Sequence, residues 1–341
     1  MAFTVDKLGL YCLIMEKDLA IIIPAYKPEF LQRALESICK QTNQNFQVYI
    51  GNDGSPFDLA KICSPYCENY GWEYHEFGIN LGKTNLVGHW NRCVRMSNSE
   101  KWIWLFSDDD EMQADCVEHF YLSLKEHPDT CVFRFDFSII DEHSNVTRSN
   151  DESFPSLTAF EFGKLRFERK IFSSAVEFIF LRQSFEAENG FVSFPSAWCS
   201  DDASWIKFTS DAPIISIKGG RVYWRMSSVN ISGGKKEYKN DKLKAAIAFI
   251  IWFNQKFPHA KECTVFGDQI IWLRIQMMQN TIILSFPVVL DIIRKIKPSK
   301  LIHQLCMLNE LYFRNRIIQE KESGKTPTSL MVFFARTFPR F

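Results

Sequence analysis

From residue 19 the chain alternates short apolar runs with stretches in which apolar residues recur every three or four positions. The short runs predict strands near 19–24, 46–52, 72–77 and 101–106, and the periodic stretches predict helices near 29–41, 57–70, 85–97 and 113–126. Strand and helix in strict alternation form the pattern of an α/β protein with a doubly wound sheet and helices on both faces. A Phe- and Val-rich run at 130–140 predicts another strand, and the polar stretch 141–153 that follows predicts a hairpin or flap. Residues 158–240 mix both patterns. Beyond 241 the pattern turns helical, with helices expected near 243–257, 265–283, 287–296 and 300–322. The expected organisation is one α/β domain over 1–240 and a helical C-terminal region over 241–341.

Composition narrows the class. With 341 residues, 46% of them hydrophobic and 23% charged, the chain can bury one large core or two modest ones. Forty basic residues balance forty acidic ones, which argues against a nucleic-acid binder relying on an overall positive field. The ten cysteines are scattered, and Cys63 and Cys67 lack the second pair or the histidines of a zinc site, so ordinary buried thiols in a reducing compartment are expected. Met1 to Met15 lacks a basic start and a small-residue cleavage site. Asp291, Arg294 and Lys295 interrupt the longest apolar candidate for a membrane span. A cytoplasmic protein is expected, with the C-terminal helices packing on the rest, forming a homodimer, or touching the inner face of a membrane. Phe333, Phe334, Phe338 and Phe341 among Arg336 and Arg340 are compatible with weak membrane or partner contact.

The run from Lys101 to Asp110 carries the chemistry. An apolar strand ends there in three adjacent carboxylates, Asp108, Asp109 and Asp110. Such a cluster is either a solvated loop leading into a helix or a seat for a hard divalent cation, Mg²⁺ or Mn²⁺, which suits oxygen ligands and leaves room for substrate phosphates. The strand ending favours the cation, because ligands of open α/β sheets gather beyond the carboxyl ends of strands.

Other strand ends offer companions. The first strand closes on Pro24, Ala25 and Tyr26, which would wall a pocket, with the tyrosine ring as a stacking or packing face. Asp53, in Asn52–Ser55, is either a turn residue or a charged acceptor for the N–H of a nucleobase edge. Asn80 and Gly82 mark a strand-to-helix turn whose amides could approach a nucleotide, and Lys83 and Asn91 are weaker candidates. Asp201 and Asp202 precede a helical pattern and read as caps on sequence alone. Trp198 offers a sugar platform or a core ring.

Taken in order, these segments resemble glycosyltransferase family 2 over residues 18–235. Ile21–Tyr26 looks like the family's opening strand, Asn52–Ser55 like its second-strand motif, and Asn80–Gly82 like its asparagine-glycine turn. Ser107–Asp110 looks like its metal-binding acidic motif, with serine where the first aspartate is common, and Asp201–Asp202 like the later acidic pair. The resemblance implies a GT-A fold and an inverting, metal-dependent transfer of a sugar from a nucleoside diphosphate, UDP favoured, to a hydroxyl of a glycan or lipid-linked sugar, as in surface polysaccharide assembly. It implies Asp53 at the base, and Asp109 as the first metal ligand with Asp108 and Asp110 supporting. Asp202 would be the general base, with Asp201 where glutamate is usual. Tyr223–Ser228 resembles a late segment in which Arg225 would pair with the diphosphate, while Ser227 stands where histidine is frequent. The alternatives are a non-catalytic sugar- or nucleotide-binding partner and a sugar nucleotidyltransferase, although the latter's glycine-rich basic loop is absent at Pro24–Pro28.

Overall fold

The computed structural model describes residues 3–5, 11–13, 17–150, 154–227, 238–261, 265–298 and 300–337. The chain forms two units that interleave in sequence. One comprises 1–159, 174–191 and 207–227; the other comprises 160–173, 192–206 and 228–341.

The first unit is built on one sheet. Its order is Ser156–Leu157, Ile214–Arg225, Val132–Ile140, Phe178–Leu181, Trp102–Leu105, Leu19–Ala25, Phe46–Asn52 and Glu73–Glu76. Leu19–Ala25 runs parallel to both Phe46–Asn52 and Trp102–Leu105, so these strands end together at one edge. Phe178–Leu181 is antiparallel to both its neighbours, which makes the sheet mixed. Leu19 to Ile23 are fully buried, as a strand covered on both faces requires. The flanking helix Leu31–Cys39 buries Leu31, Ala34, Leu35 and Ile38, the i, i+3, i+4, i+7 stripe that packs on such a sheet. The helices Leu59–Tyr70, Gly82–Val94 and Cys116–Glu126 follow the expected alternation. The polar stretch after Ile140 does form a hairpin, with Val146–Asn150 antiparallel to Val132–Ile140; residues 151–153 lie outside the described residues.

The second unit is mainly helical: Lys239–Lys256, Val265–Gln279, Phe286–Ile296, Leu301–Leu308, Asn315–Glu322 and Ser329–Thr337. A π-helical stretch, Asn309–Arg314, joins the fourth and fifth of these. Phe167 packs at 5.2 Å from Phe249, 5.2 Å from Phe253 and 5.5 Å from Trp272. By contacts of this kind 160–173 and 192–206 group with the C-terminal helices. Asp201 and Asp202 therefore belong to the helical unit. Among the described residues no helix is long and apolar enough to cross a membrane.

Candidate active site

Hydrogen bonds between loops tie the strand ends of the first unit together. The Asp53 N–H donates to the Ala25 carbonyl at 2.9 Å, and the Ser55 hydroxyl donates to the Tyr26 carbonyl at 2.7 Å. Asn52 accepts from the Ser55 N–H at 2.8 Å and donates to the Tyr74 hydroxyl at 2.8 Å. Gly54 sits at φ 64°, left-handed backbone that glycine adopts without a Cβ penalty.

The Asp53 carboxylate grips the next loop. Its Oδ1 accepts from the Leu81 N–H at 2.9 Å and its Oδ2 from the Gly82 N–H at 2.8 Å, while Arg92 Nη2 also donates to Oδ1. A Cβ at position 82 would lie 2.5 Å from Asp53 Oδ2, so glycine is what permits this approach. Arg92 Nε donates to His89 Nδ1 at 3.0 Å, and the Arg92 guanidinium stands 4.0 Å from the centre of the Phe77 ring. Burial, then the Arg92 charge, push the His89 pKa down to about 3. His89 is thus neutral, and its 3.3 Å approach to Asp53 is a contact rather than an ion pair. Sequence reasoning missed Arg92 and His89. Asn80 accepts from the Lys83 N–H at 2.9 Å and so caps the helix that follows. Asn91, expected as a helix surface residue, instead accepts from the Phe191 N–H at 3.1 Å.

In the acidic loop the three aspartates have separate surroundings. Asp108 Oδ2 accepts from the N–H groups of Tyr26 and Lys27 at 2.8 and 3.0 Å, joining two parallel strand ends. Asp110 Oδ1 accepts from the Arg225 N–H at 2.7 Å, whereas its buried Oδ2 has no hydrogen-bond partner among the described residues. The Asp109 side chain is half-buried and makes no hydrogen bond or ion pair among the described residues. Burial first, then the charges of Asp110 and Asp108, hold the Asp109 pKa well above the ordinary value. Asp110 is pushed up to about 7, again chiefly by burial. Lys27, which sequence reasoning also missed, opposes these charges at Asp108 and Asp109.

Arg225, expected to pair with a diphosphate, is held by internal partners. Its side chain is fully buried: Nε donates to the Asp109 carbonyl at 2.8 Å, Nη1 to the Asp141 carbonyl at 2.6 Å, and Nη2 to Ser144 Oγ at 3.1 Å and to Glu111. The guanidinium also lies 4.5 Å from the Phe30 ring centre. It is bonded to the acidic loop and to the hairpin that follows Ile140. Ser227 is buried, and residues 228–232 of the same late segment lie outside the described residues.

The residues fit a divalent cation in a limited way. Asp109 has an uncommitted carboxylate, Asp110 an unpartnered oxygen, and the local repulsion that raises both pKa values is what a cation would relieve. Among the described residues no three acidic, histidine or cysteine side chains converge as a preformed cage. Asp108, expected as a ligand, already spends one oxygen on two amides. A site of one or two carboxylates completed by substrate phosphates is the usual arrangement for Mg²⁺.

In the helical unit, Asp202 is 2% exposed and both its oxygens accept from Arg166, Nε to Oδ1 at 3.0 Å and Nη2 to Oδ2 at 2.9 Å. This bidentate lock engages both oxygens of the residue expected to be the general base. Asp201 is half-buried and carries no side-chain partner among the described residues. Burial, then the Asp202 charge, push its pKa up to about 7. Just ahead, Ser196, Ala197 and Cys199 hold positive φ values of 53°, 56° and 60°, strain of the kind kept at functional loops. Lys242 Nζ lies 4.5 Å from the centre of the Trp198 ring, covering one of its faces.

Comparison with known proteins bears on the fold. The sequence model described as Glycosyl transferase family 2 matches residues 20–188. The matched stretch is just under half of the chain. Glycosyltransferase GlyA of Streptococcus pneumoniae serotype 4 is 28% identical over 116 residues, which are 34% of this chain and 16% of that protein. S. aureus TarS in complex with UDP-GlcNAc superposes with a TM-score of 0.61 at 14% identity, covering 94% of this chain and 90% of that one. In a longer TarS structure the match spans 52% of that chain. GalNAc-T7 with UDP, GalNAc and Mn²⁺ gives a TM-score of 0.51 at 11% identity over 84% of this chain and 57% of the other. The fold is GT-A with a helical C-terminal region.

Proposed function

We propose that the protein transfers a sugar from a nucleoside diphosphate to an acceptor hydroxyl with inversion, using Mg²⁺ or Mn²⁺, and that UDP is the nucleotide. The observation that carries this is the acidic loop, in which Asp108 and Asp110 are stapled to neighbouring backbone while Asp109 is left open. UDP is favoured because the TarS and GalNAc-T7 structures hold UDP or UDP-GlcNAc, and Mn²⁺ accompanies UDP in the latter.

In this reading Asp53, Leu81 and Gly82 floor the base pocket, with Pro24, Ala25 and Tyr26 as its wall. Burial raises the Asp53 pKa, and the Gly82 and Leu81 amides together with Arg92 oppose that shift and hold the carboxylate in place. Asp109, with Asp110 beside it, would hold the cation, which as a Lewis acid offsets charge building on the departing diphosphate. Lys27 contributes a further positive charge there. Asp201 removes the proton from the acceptor hydroxyl as it attacks C1 of the sugar. We assign that role to Asp201 rather than Asp202 because a base needs an open oxygen and a pKa near the working pH, and Asp202 offers neither oxygen. Asp202 and Arg166 position the loop. The acceptor is a hydroxyl of a glycan or lipid-linked sugar, as in surface polysaccharide assembly.

The test is hydrolysis and transfer from UDP-sugars with and without Mn²⁺, on wild type, Asp109→Ala, Asp201→Asn and Asp202→Asn. Metal-dependent turnover lost in the first two variants supports the reading. Nucleotide binding without turnover under any condition would instead indicate a sugar-nucleotide binding protein.

A further inference from the structure

Between residues 281 and 341 ten Lys and Arg stand against four Asp and Glu, in a chain whose totals balance at 40 each. Exposed apolar side chains concentrate in the same stretch. Phe286 and Val288 open the helix Phe286–Ile296, Leu301 and Ile302 open Leu301–Leu308, and Leu330 and Phe333 lie on Ser329–Thr337; their exposures run from 41% to 69%. Phe286–Ile296 buries a different set, Val289, Ile292, Ile293 and Ile296, so Phe286 and Val288 are surplus to its packing. A relay of rings joins two of the exposed positions. Phe286 meets Tyr312 at 5.4 Å, Tyr312 meets Phe313 at 5.1 Å, Phe313 stacks on Phe334 at 5.3 Å, and Phe334 meets Phe333 at 5.7 Å. Exposed cations interleave with these residues: Arg294 on the first helix, Lys297 and Lys300 directly ahead of Leu301 and Ile302, and Arg336 one turn after Phe333. None of the four has an acidic partner among the described residues. Phe338, Arg340 and Phe341 lie outside the described residues.

We propose that these helices form a docking surface for an anionic lipid bilayer, on which the protein lies without spanning. Apolar side chains alone would suit many partners; the unpaired cations among them select for negative charge. A second copy meeting the same patch across a two-fold axis would set like charges against each other. A bilayer rich in acidic headgroups supplies the opposite charge and an apolar layer just beneath it, the two signals that stable peripheral attachment needs. Consecutive Leu301 and Ile302 behind two lysines have the composition of an inserting wedge. The proposal stands apart from the donor-site reading, because vesicle binding requires neither nucleotide nor metal.

The experiment is vesicle flotation of the full chain with phosphatidylglycerol–phosphatidylcholine vesicles and with phosphatidylcholine alone, at low and high salt. Wild type is expected to float with the anionic vesicles only and to be released by salt. Lys297→Glu/Lys300→Glu and Leu301→Ser/Ile302→Ser should each weaken binding by roughly tenfold or more. All four positions are exposed, and an unchanged thermal midpoint would confirm that the variants are folded. Failure of folded wild type to bind anionic vesicles would overturn the proposal, as would equal binding by both double variants. Light scattering that shows a wild-type dimer lost in the same variants would assign the face to a second copy instead.

Discussion

Arg225 holds Asp110 and the residue before it: the Arg225 N–H donates to Asp110 Oδ1 at 2.7 Å, and the Arg225 guanidinium donates to the Asp109 carbonyl at 2.8 Å. A residue 115 positions away thereby fixes both the side chain of one aspartate and the backbone of its neighbour. The acidic loop is held in shape by a cation that never reaches its open face.

Replacing Arg225 should therefore cost stability before chemistry. Arg225→Ala leaves Glu111 and the Asp109 and Asp141 carbonyls without their donors, and breaking such a buried set costs about 3–5 kcal/mol. Arg225→Lys keeps the charge but not the planar fork, so it should recover only part. Urea unfolding of the three proteins measures this, and a variant as stable as wild type would contradict the assignment.

Asp109 should behave in the opposite way. Its carboxylate makes no internal hydrogen bond and stands beside two like charges, so Asp109→Ala is expected to leave the fold intact and slightly stabilised at pH 8. Turnover should fall roughly a thousandfold, the size of a lost Lewis-acid contribution of several kcal/mol. Thermal shifts with UDP and Mn²⁺, read beside the rates, separate the two effects; retained metal-dependent stabilisation would place the cation elsewhere.

Gly82→Ala probes the base pocket without touching a charge. The added methyl would meet Asp53 Oδ2 at 2.5 Å and push the carboxylate off the Leu81 and Gly82 amides. Overpacking of this kind costs about 1–3 kcal/mol, and nucleotide affinity should drop with it. Calorimetric titration with UDP checks the second part, and unchanged affinity would remove Asp53 and its turn from the donor site.

How far the sequence foretold this site depends on the range of each interaction. The strand ends announced themselves locally: apolar runs stop at Ala25, Asn52 and Leu105, and Asp53, Gly82 and Asp109 follow at once or head the next turn. Arg225, Arg92 and Lys27 carried no such signal, because their contacts to the acidic loop and to Asp53 link positions 39 to 116 residues apart and exist only once the sheet has formed. Arg225 was identified as a site residue, but its burial and its internal partners could not be read from the sequence. Asp201 and Asp202 are adjacent acids with the same cap propensity, and only Arg166, fixed by the helical unit, tells them apart. The helix Ser329–Thr337 was missed because it is short and follows Gly324 and Pro327 closely.

The acid pair makes the pH-dependent prediction. Asp201 has a folded-state pKa of about 7 against an ordinary 3.8, because burial and the Asp202 charge oppose its ionisation. A group whose pKa is raised on folding favours the folded state below its unfolded value, and that advantage is lost as pH rises toward 7. Asp201→Asn should thus gain thermal stability relative to wild type as pH climbs from 4 to 8, with little difference at the acid end. Activity runs the other way: the base must be ionised, so wild-type turnover should rise up to about pH 7 and level off, and Asp201→Asn should lose about 10²- to 10⁴-fold on that plateau. Asp202→Asn should instead lower stability at all these pH values, since it strands the Arg166 guanidinium, while keeping a pH–rate step that moves to lower pH, because the Asp202 charge that helps raise the Asp201 pKa is gone. A pH–rate step that vanishes in Asp202→Asn and persists in Asp201→Asn would reverse the assignment of base and anchor.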